Sequence, residues 1–391
     1  MPAMARARDP LATRDPDLTT SWPQVCGWRL ARQHVTVPAD DAVGVASRLC
    51  GVQAQVTTSA QFTVGLRSPA TADDLYAALW TERTLVRTWA MRGTLHWLPA
   101  VEYGLWVAAL TTRPWRITPS WEKYHGVTAA ELGAVTAAIP EVLAGRRLTR
   151  DELARELADA TGLTHLAEQL TSGWGAVLKP AANRGLLCFG PDRDRNVTFV
   201  RPDEWLGDTG PAPEVDEAMR LVLRRFLDAY GPATPADVAR WFGEREPFGR
   251  RLLTRHADEL AVADVDGHRG WLTPEGAERL ADHPPAAGVA LLGGFDPYVL
   301  APISHRDAII PDGRLDQVSR TAGWISAVVL VGGMVAGTWA TEVDGDATQV
   351  VVTPFVALAD AELAAIEQRV EELAGRVLPA ATTVTVEARQ P

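Results

Sequence analysis

The chain has 391 residues, 47% of them hydrophobic and 22% charged, enough for several domains with sizeable cores. No stretch reaches the length of an apolar membrane span, and Met1–Thr20 lacks the apolar centre of a secretion signal, so a cytoplasmic protein without a membrane partner is expected. The net charge of -11 argues at face value against nucleic acid, but residues 342–376 hold eight acids against two arginines, and the rest is near balance.

After the Pro/Arg/Asp tail, Val25–Ala31 and Asp41–Cys50 have the spacing of short amphipathic helices, and Gly51 stands where the second needs a left-handed stop. Gln53 and Gln55 follow. An apolar stretch, Phe62–Leu66, ends at Ser68-Pro69. Then Thr71 and Asp74 form a capping pair, Leu75, Ala78 and Leu79 a buried stripe, and Leu85–Met91 and Thr94–Leu98 two strands joined at Arg92-Gly93.

The same unit recurs. Thr149 and Glu152 make a capping box, Leu153 and Leu157 continue its face, and a second helical piece runs from Thr171 through Trp174, Val177 and Leu178, with a break at Pro180. A hairpin from Leu186–Phe189 to Asn196–Val200 turns around Gly190-Pro191-Asp192. In the third copy Thr234 to Asp237 is the cap, Val238, Trp241 and Phe242 the stripe, Gly243 the stop, and Arg250, Arg251 and Arg255 lie on a basic helix. Leu260–Val265 and His268–Leu272 close it across Asp266-Gly267. Helix, turn, helix and hairpin is the winged helix-turn-helix order.

From Val289 the pattern turns β-rich: Val289–Leu292, Ile325–Val331, Met334–Thr341, Gln349–Thr353 and Thr383–Glu387, with an acidic helix at Asp360–Ala374. A polar insertion, Ser304 to Arg314, reads as a projecting loop or hairpin. The expected fold is therefore α+β: a tail (1–20), three tandem winged helix-turn-helix domains (21–140, 141–210, 211–285) and a C-terminal β-barrel-like domain (286–391), either a small barrel or a curved sheet.

Cys26, Cys50 and Cys188 lie far apart among apolar neighbours, and the eight histidines are scattered, so neither a metal nor another cofactor is expected. The basic residues are almost all arginine, suited to bidentate phosphate contacts, although compositional bias explains that equally well. Gln53 and Gln55, just past a helix end, have no useful pKa; each amide can accept with its oxygen and donate from its nitrogen. Such a pair serves undemanding chemistry, or merely satisfies a loop's own backbone.

Four segments in order, Gln53-Ala54-Gln55, Trp89 to His96, Ala239 to Gly243 and Gly294-Phe295-Asp296-Pro297-Tyr298, resemble the AlkZ-type winged-helix DNA glycosylases over most of Ser21–Glu387. A related branch has aspartate at the second motif position, so Gln55 resembles the crosslink-repair branch. The resemblance implies a basic channel around double-stranded DNA carrying alkylation or crosslink damage, the two glutamines at the lesion and a hairpin in the minor groove. It implies a monofunctional glycosylase, a monomer bound to the nucleoid when engaged, acting on cationic alkylated purines including bulky or interstrand-crosslinked N7-guanine adducts. Such a purine leaves without a general acid, so an amide dipole and a held water suffice.

On that basis Gln55 is expected to position the water and Gln53 to stabilise the sugar cation, roles that are exchangeable. Arg92 and His96 are expected at phosphate or lesion, with a turn anchor and a core histidine as their plainer readings. Arg83, Arg87, Arg146, Arg147, Arg250, Arg251, His305 and Arg306 are expected on DNA. The only lysines, Lys123 and Lys179, fall in other segments, which argues against a Schiff base. A winged-helix transcription regulator without catalysis is the alternative from the repeats alone, and a binder of a toxin or its adduct a third.

Overall fold

The computed structural model describes residues 13–112, 117–172, 175–207, 209–344, 347–380 and 382–386. They form two compact units: Gln53–Gln55 with Asp73–Val222, and Met1–Val52 and Val56–Ala72 with Leu223–Pro391.

The first unit merges what the sequence divides between two repeats. Its first hairpin pairs Leu85–Trp89 with Leu95–Pro99 in antiparallel register, Leu85 opposite Pro99 and Trp89 opposite Leu95. The short strand Val52–Gln53 lies on the outer side of Leu95–Pro99. Trp89 and Leu95 do not close a core of their own. They sink into the core of the second repeat with Val135, Ile139, Leu153, Leu157, Phe189 and Phe199, the Trp89 ring meeting Phe189 edge-on at 4.7 Å. The first hairpin shares the second repeat's core through these two residues, because a hairpin cannot bury both of its faces alone.

Within that core the expected capping box at Thr149 and Glu152 starts the helix Arg150–Thr161, and a second box, Thr128 with Glu131, starts Ala129–Val142. Two expectations change. Pro180 opens the helix Lys179–Asn183 instead of breaking one, since proline suits a first turn where its missing N–H has no partner to lose. The helical piece expected from Thr171 ends at Thr171; Trp174 lies outside the described residues. The second hairpin, Cys188–Arg193 with Asn196–Val200, turns later than expected, with Asp194 at φ 57° and a bulge between Gly190 and Arg193.

In the other unit, Thr234 and Asp237 form the expected capping box of the helix Pro235–Phe242, which stops at Gly243 with φ 80°. The basic helix Glu246–Arg255 crosses it where Gly249 admits contact: a Cβ there would meet the Pro235 carbonyl at 2.0 Å. Strands Ala261–Val265 and His268–Leu272 turn at Asp266-Gly267, as expected. Residues 18–20 belong to no tail: Leu18–Thr20 is a third strand, parallel to Ala263–Val265.

The C-terminal sheet is a curled five-stranded half-barrel, not a closed barrel. Val289–Leu292, Val328–Val331, Met334–Asp344 and Ala347–Pro354 pair antiparallel in chain order. The helix Asp360–Leu373 then carries the chain over to Thr382–Val386, which adds parallel, as a crossover connection allows. The polar insertion is helical, Ile303–Ile309 and Leu315–Val318, not a hairpin. Arg306 holds it down. Its buried guanidinium donates to the carbonyls of Val299 and Leu300 at 2.9 and 3.1 Å and to Ser319 Oγ at 3.1 Å. Among the described residues no helix is long and apolar enough to cross a membrane.

Candidate active site

The helix Ala42–Arg48 is capped by Asp41, whose carboxylate accepts from Gly44 N, and is followed by two left-handed residues, Cys50 at φ 57° and Gly51 at φ 97°. This reversal delivers Gln53-Ala54-Gln55 to the first hairpin. Ala54 N donates to the Leu95 carbonyl at 2.7 Å, Leu95 N donates to Gln55 Oε1 at 3.3 Å, and the Ala54 side chain is buried. With Ala54 turned inward, the flanking glutamines turn outward by the alternation of an extended segment. Gln55 is exposed and Gln53 half-buried.

Gln53 is held by a cation. Arg92 Nη2 donates to Gln53 Oε1 at 2.6 Å, and because a guanidinium only donates, this contact fixes which end of the amide is oxygen. Arg92 adopts φ 58° in the turn Met91–Gly93, a left-handed conformation unusual for a side-chain-bearing residue. Behind it lies His96, 1% exposed. His96 Nδ1 sits 3.0 Å from the Thr94 carbonyl, which can only accept, so Nδ1 carries the proton and Nε2 presents its lone pair to Arg92 Nη2 at 3.4 Å. His96 thus supports Arg92 from within the core, and Arg92 in turn orients Gln53. With both glutamine oxygens engaged by donors, neither amide nitrogen has a hydrogen-bond partner among the described residues.

Lysine is nearer than its sequence position suggests. A Cβ on Gly93 would lie 3.9 Å from Lys179 Nζ, so the amine stands beside the Arg92 turn, contrary to the inference drawn from its distant segment. Sequence reasoning also missed the Leu95 N–H and the Arg92–Gln53 contact. The resemblance, which places Arg92 and His96 in the region of the glutamines, was the signal that pointed toward the latter.

The other proposed DNA residues are dispersed. Arg306 is the core anchor described above, and burial pulls its guanidinium down to about 10, so it is not a surface contact. The backbone of His305 lies in the helix Ile303–Ile309, while its side chain lies outside the described residues. Arg87 is half-buried over the Phe189 ring at 5.1 Å, and desolvation lowers its pKa. Arg146 forms a two-pronged pair with Glu156 at 2.9 and 2.7 Å, and Arg250 pairs with Glu246. Arg147 and Arg251 are exposed. Arg83 covers the Trp205 ring at 3.8 Å. The motif Gly294 to Tyr298 is architectural: Asp296 is buried and takes two 2.8 Å hydrogen bonds from buried Arg67, and Tyr298 Oη donates to the Gly333 carbonyl at 2.9 Å.

A glutamine pair held against a hairpin by Arg92 and Leu95, in a chain of this architecture, defines a class. The chain belongs to the AlkZ-like DNA glycosylase family, whose model matches residues 46–376, and it is therefore an enzyme that hydrolyses N-glycosyl bonds in DNA. Among particular proteins, the solved structure of Streptomyces sahachiroi DNA glycosylase AlkZ covers 95% of this chain and 100% of its own, with a TM-score of 0.86 at 37% identity. A curated relative from Streptomyces sahachiroi, described as an interstrand DNA cross-link repair glycosylase, is 41% identical over 346 residues, 86% of this chain and 91% of the relative.

Proposed function

We propose that the chain is a monofunctional, monomeric glycosylase that releases cationic alkylated purines from duplex DNA, including bulky and interstrand-crosslinked N7-guanine adducts. The observation that carries this reading is the pair of anchored amides. A leaving group that is already cationic needs no general acid, and the remaining task is to hold a water against a developing sugar cation.

The anchoring refines the roles. Gln53 Oε1 is occupied by a cation, so its oxygen is poorly suited to face the sugar cation, and its amide N–H groups become the working end. Gln55 Oε1 accepts one weak bond and retains a second lone pair, enough to take a proton of the attacking water. In this division Gln55 orients the water through its oxygen and Gln53 donates to the water or a sugar oxygen. Water, not the Lys179 amine, is the nucleophile, and the product is an abasic site.

The three helix-helix-hairpin groups support a further reading as winged helices whose exposed arginines, Arg147 and Arg251 among them, track phosphates. Arg146 and Arg250 would first have to exchange a carboxylate for a phosphate. The crosslink substrate is supported by the description of the relative. Cytoplasmic, nucleoid-associated location follows from the substrate.

The test is single-turnover release of N7-methylguanine, and unhooking of an N7-linked crosslink, by the wild type, Gln53→Ala and Gln55→Ala. Each variant is expected to lose on the order of a hundredfold in rate with DNA affinity nearly unchanged. Equal rates in all three proteins would make the glutamines structural.

A further inference from the structure

We propose that Lys179 is a positioning residue that holds the backbone phosphate adjoining the target nucleotide, an inference that rests on the reading of Gln53 and Gln55 above. The chain has 38 basic residues, and lysine is used at two of them, Lys123 and Lys179. One of these two stands at the turn that orients Gln53. A Cβ on Gly93 would lie 3.8 Å from Lys179 Cδ and 3.9 Å from its Nζ, so both stem and amine run beside the turn.

The placement is firm at its base. Lys179 begins the helix Lys179–Asn183, its N–H donates to the Gly175 carbonyl at 2.9 Å, and Pro180, Ala181 and Ala182 behind it are buried. The side chain itself is half-buried, which fixes its course and leaves it within reach of a ligand. Gly93 follows Arg92 directly, so the ammonium and the guanidinium share one short turn. Two cations at one turn favour an anion, and the anion that accompanies every nucleotide brought to the glutamines is its phosphate. A compact point charge meets one phosphate oxygen where a planar guanidinium fork needs more room. Binding that phosphate sets the height of the sugar over the amides, which is how a residue remote from the breaking bond contributes to its rate.

The experiment compares full-length wild type, Lys179→Gln and Lys179→Arg on a duplex with a single N7-methylguanine under single turnover, and on the same duplex without the lesion for binding against salt. Lys179→Gln should need several-fold more enzyme for half its maximal rate, and its plateau rate should fall about tenfold. The slope of log affinity against log salt should fall by about one. Lys179→Arg should recover the salt slope but only part of the rate, and all three proteins should melt alike. An unchanged half-saturation and salt slope in Lys179→Gln would overturn the proposal. So would a borohydride-trapped covalent complex of the wild type that Lys179→Gln cannot form, because the amine would then displace the base at C1′ in place of water, and opening of the sugar ring would give the imine that borohydride reduces. If the wild type releases no base at all, the glutamine reading fails, and the salt slopes on lesion-free duplex still decide the phosphate contact.

Discussion

The two units each contain a polar cluster built from a sequence motif, and they use arginine in opposite ways. Around Asp296 everything is closed: Arg67 and Asp296 are both 0% exposed, and the guanidinium also donates to the carbonyls of Gln33 and Thr63, at 2.8 and 3.2 Å. Around Gln53 the cluster is graded, from buried His96 through half-buried Arg92 and Gln53 to exposed Gln55. A closed cluster specifies a fold, while one ordered inward and left open outward presents preset groups to a ligand.

Removing one partner of the closed cluster should have the largest effect. Asp296→Ala leaves Arg67 charged and unpaired in the core and should destabilise by about 3–5 kcal/mol, read by urea unfolding. If the loss is below about 1 kcal/mol, the clusters do not differ in the way described. In the open cluster, Arg92→Gly should do the reverse. It removes the hold on Gln53 and lowers single-turnover rate on the order of a hundredfold, yet relieves a left-handed backbone and leaves stability equal or higher by up to about 1 kcal/mol. A parallel fall of rate and stability would mean that Arg92 is only a turn anchor.

Arg306 sharpens the comparison, because it is an arginine that sequence places on DNA and structure places in the closed class. Arg306→Met should cost about 2 kcal/mol through the hydrogen bonds it makes to two carbonyls and Ser319, with the salt dependence of DNA binding unchanged. A flattened salt slope at full stability would return Arg306 to the surface.

The smallest effect concerns pH. Backbone hydrogen bonds at Thr149 hold the Glu152 carboxyl below its usual range, with Arg193 assisting, and the Thr128 cap does the same for Glu131. A carboxyl depressed in the folded state adds stability above its unfolded pKa and loses it as pH falls through the folded pKa. Both caps lie in the unit that holds the glutamines. Glu152→Gln should therefore be less stable than wild type at neutral pH, where the carboxylate holds Thr149 and Arg193, and should converge with it as pH falls below about 4.3, read by denaturant midpoints across pH. An acid limb identical to wild type would assign acid sensitivity elsewhere.

What the sequence determined by itself is local. Caps at Thr149 and Thr234, the stop at Gly243 and the turn at Asp266-Gly267 depend on contacts within a few residues, so their pattern is written in adjacent positions. Wherever a residue's role depends on a partner distant in the chain, only the tertiary structure decided it. Arg306 and Arg87 look alike as charges, but folding buries the first against Val299, Leu300 and Ser319 and half-buries the second over Phe189. Leu18–Thr20 becomes a strand only because an edge formed more than 240 residues later accepts it. Lys179 reaches the Arg92 turn, and Arg92 the oxygen of Gln53, through packing of a shared core whose geometry no spacing along the chain records. Local hydrogen bonds are readable because chain connectivity sets their distances; burial and long-range pairing are not, because the whole fold sets theirs.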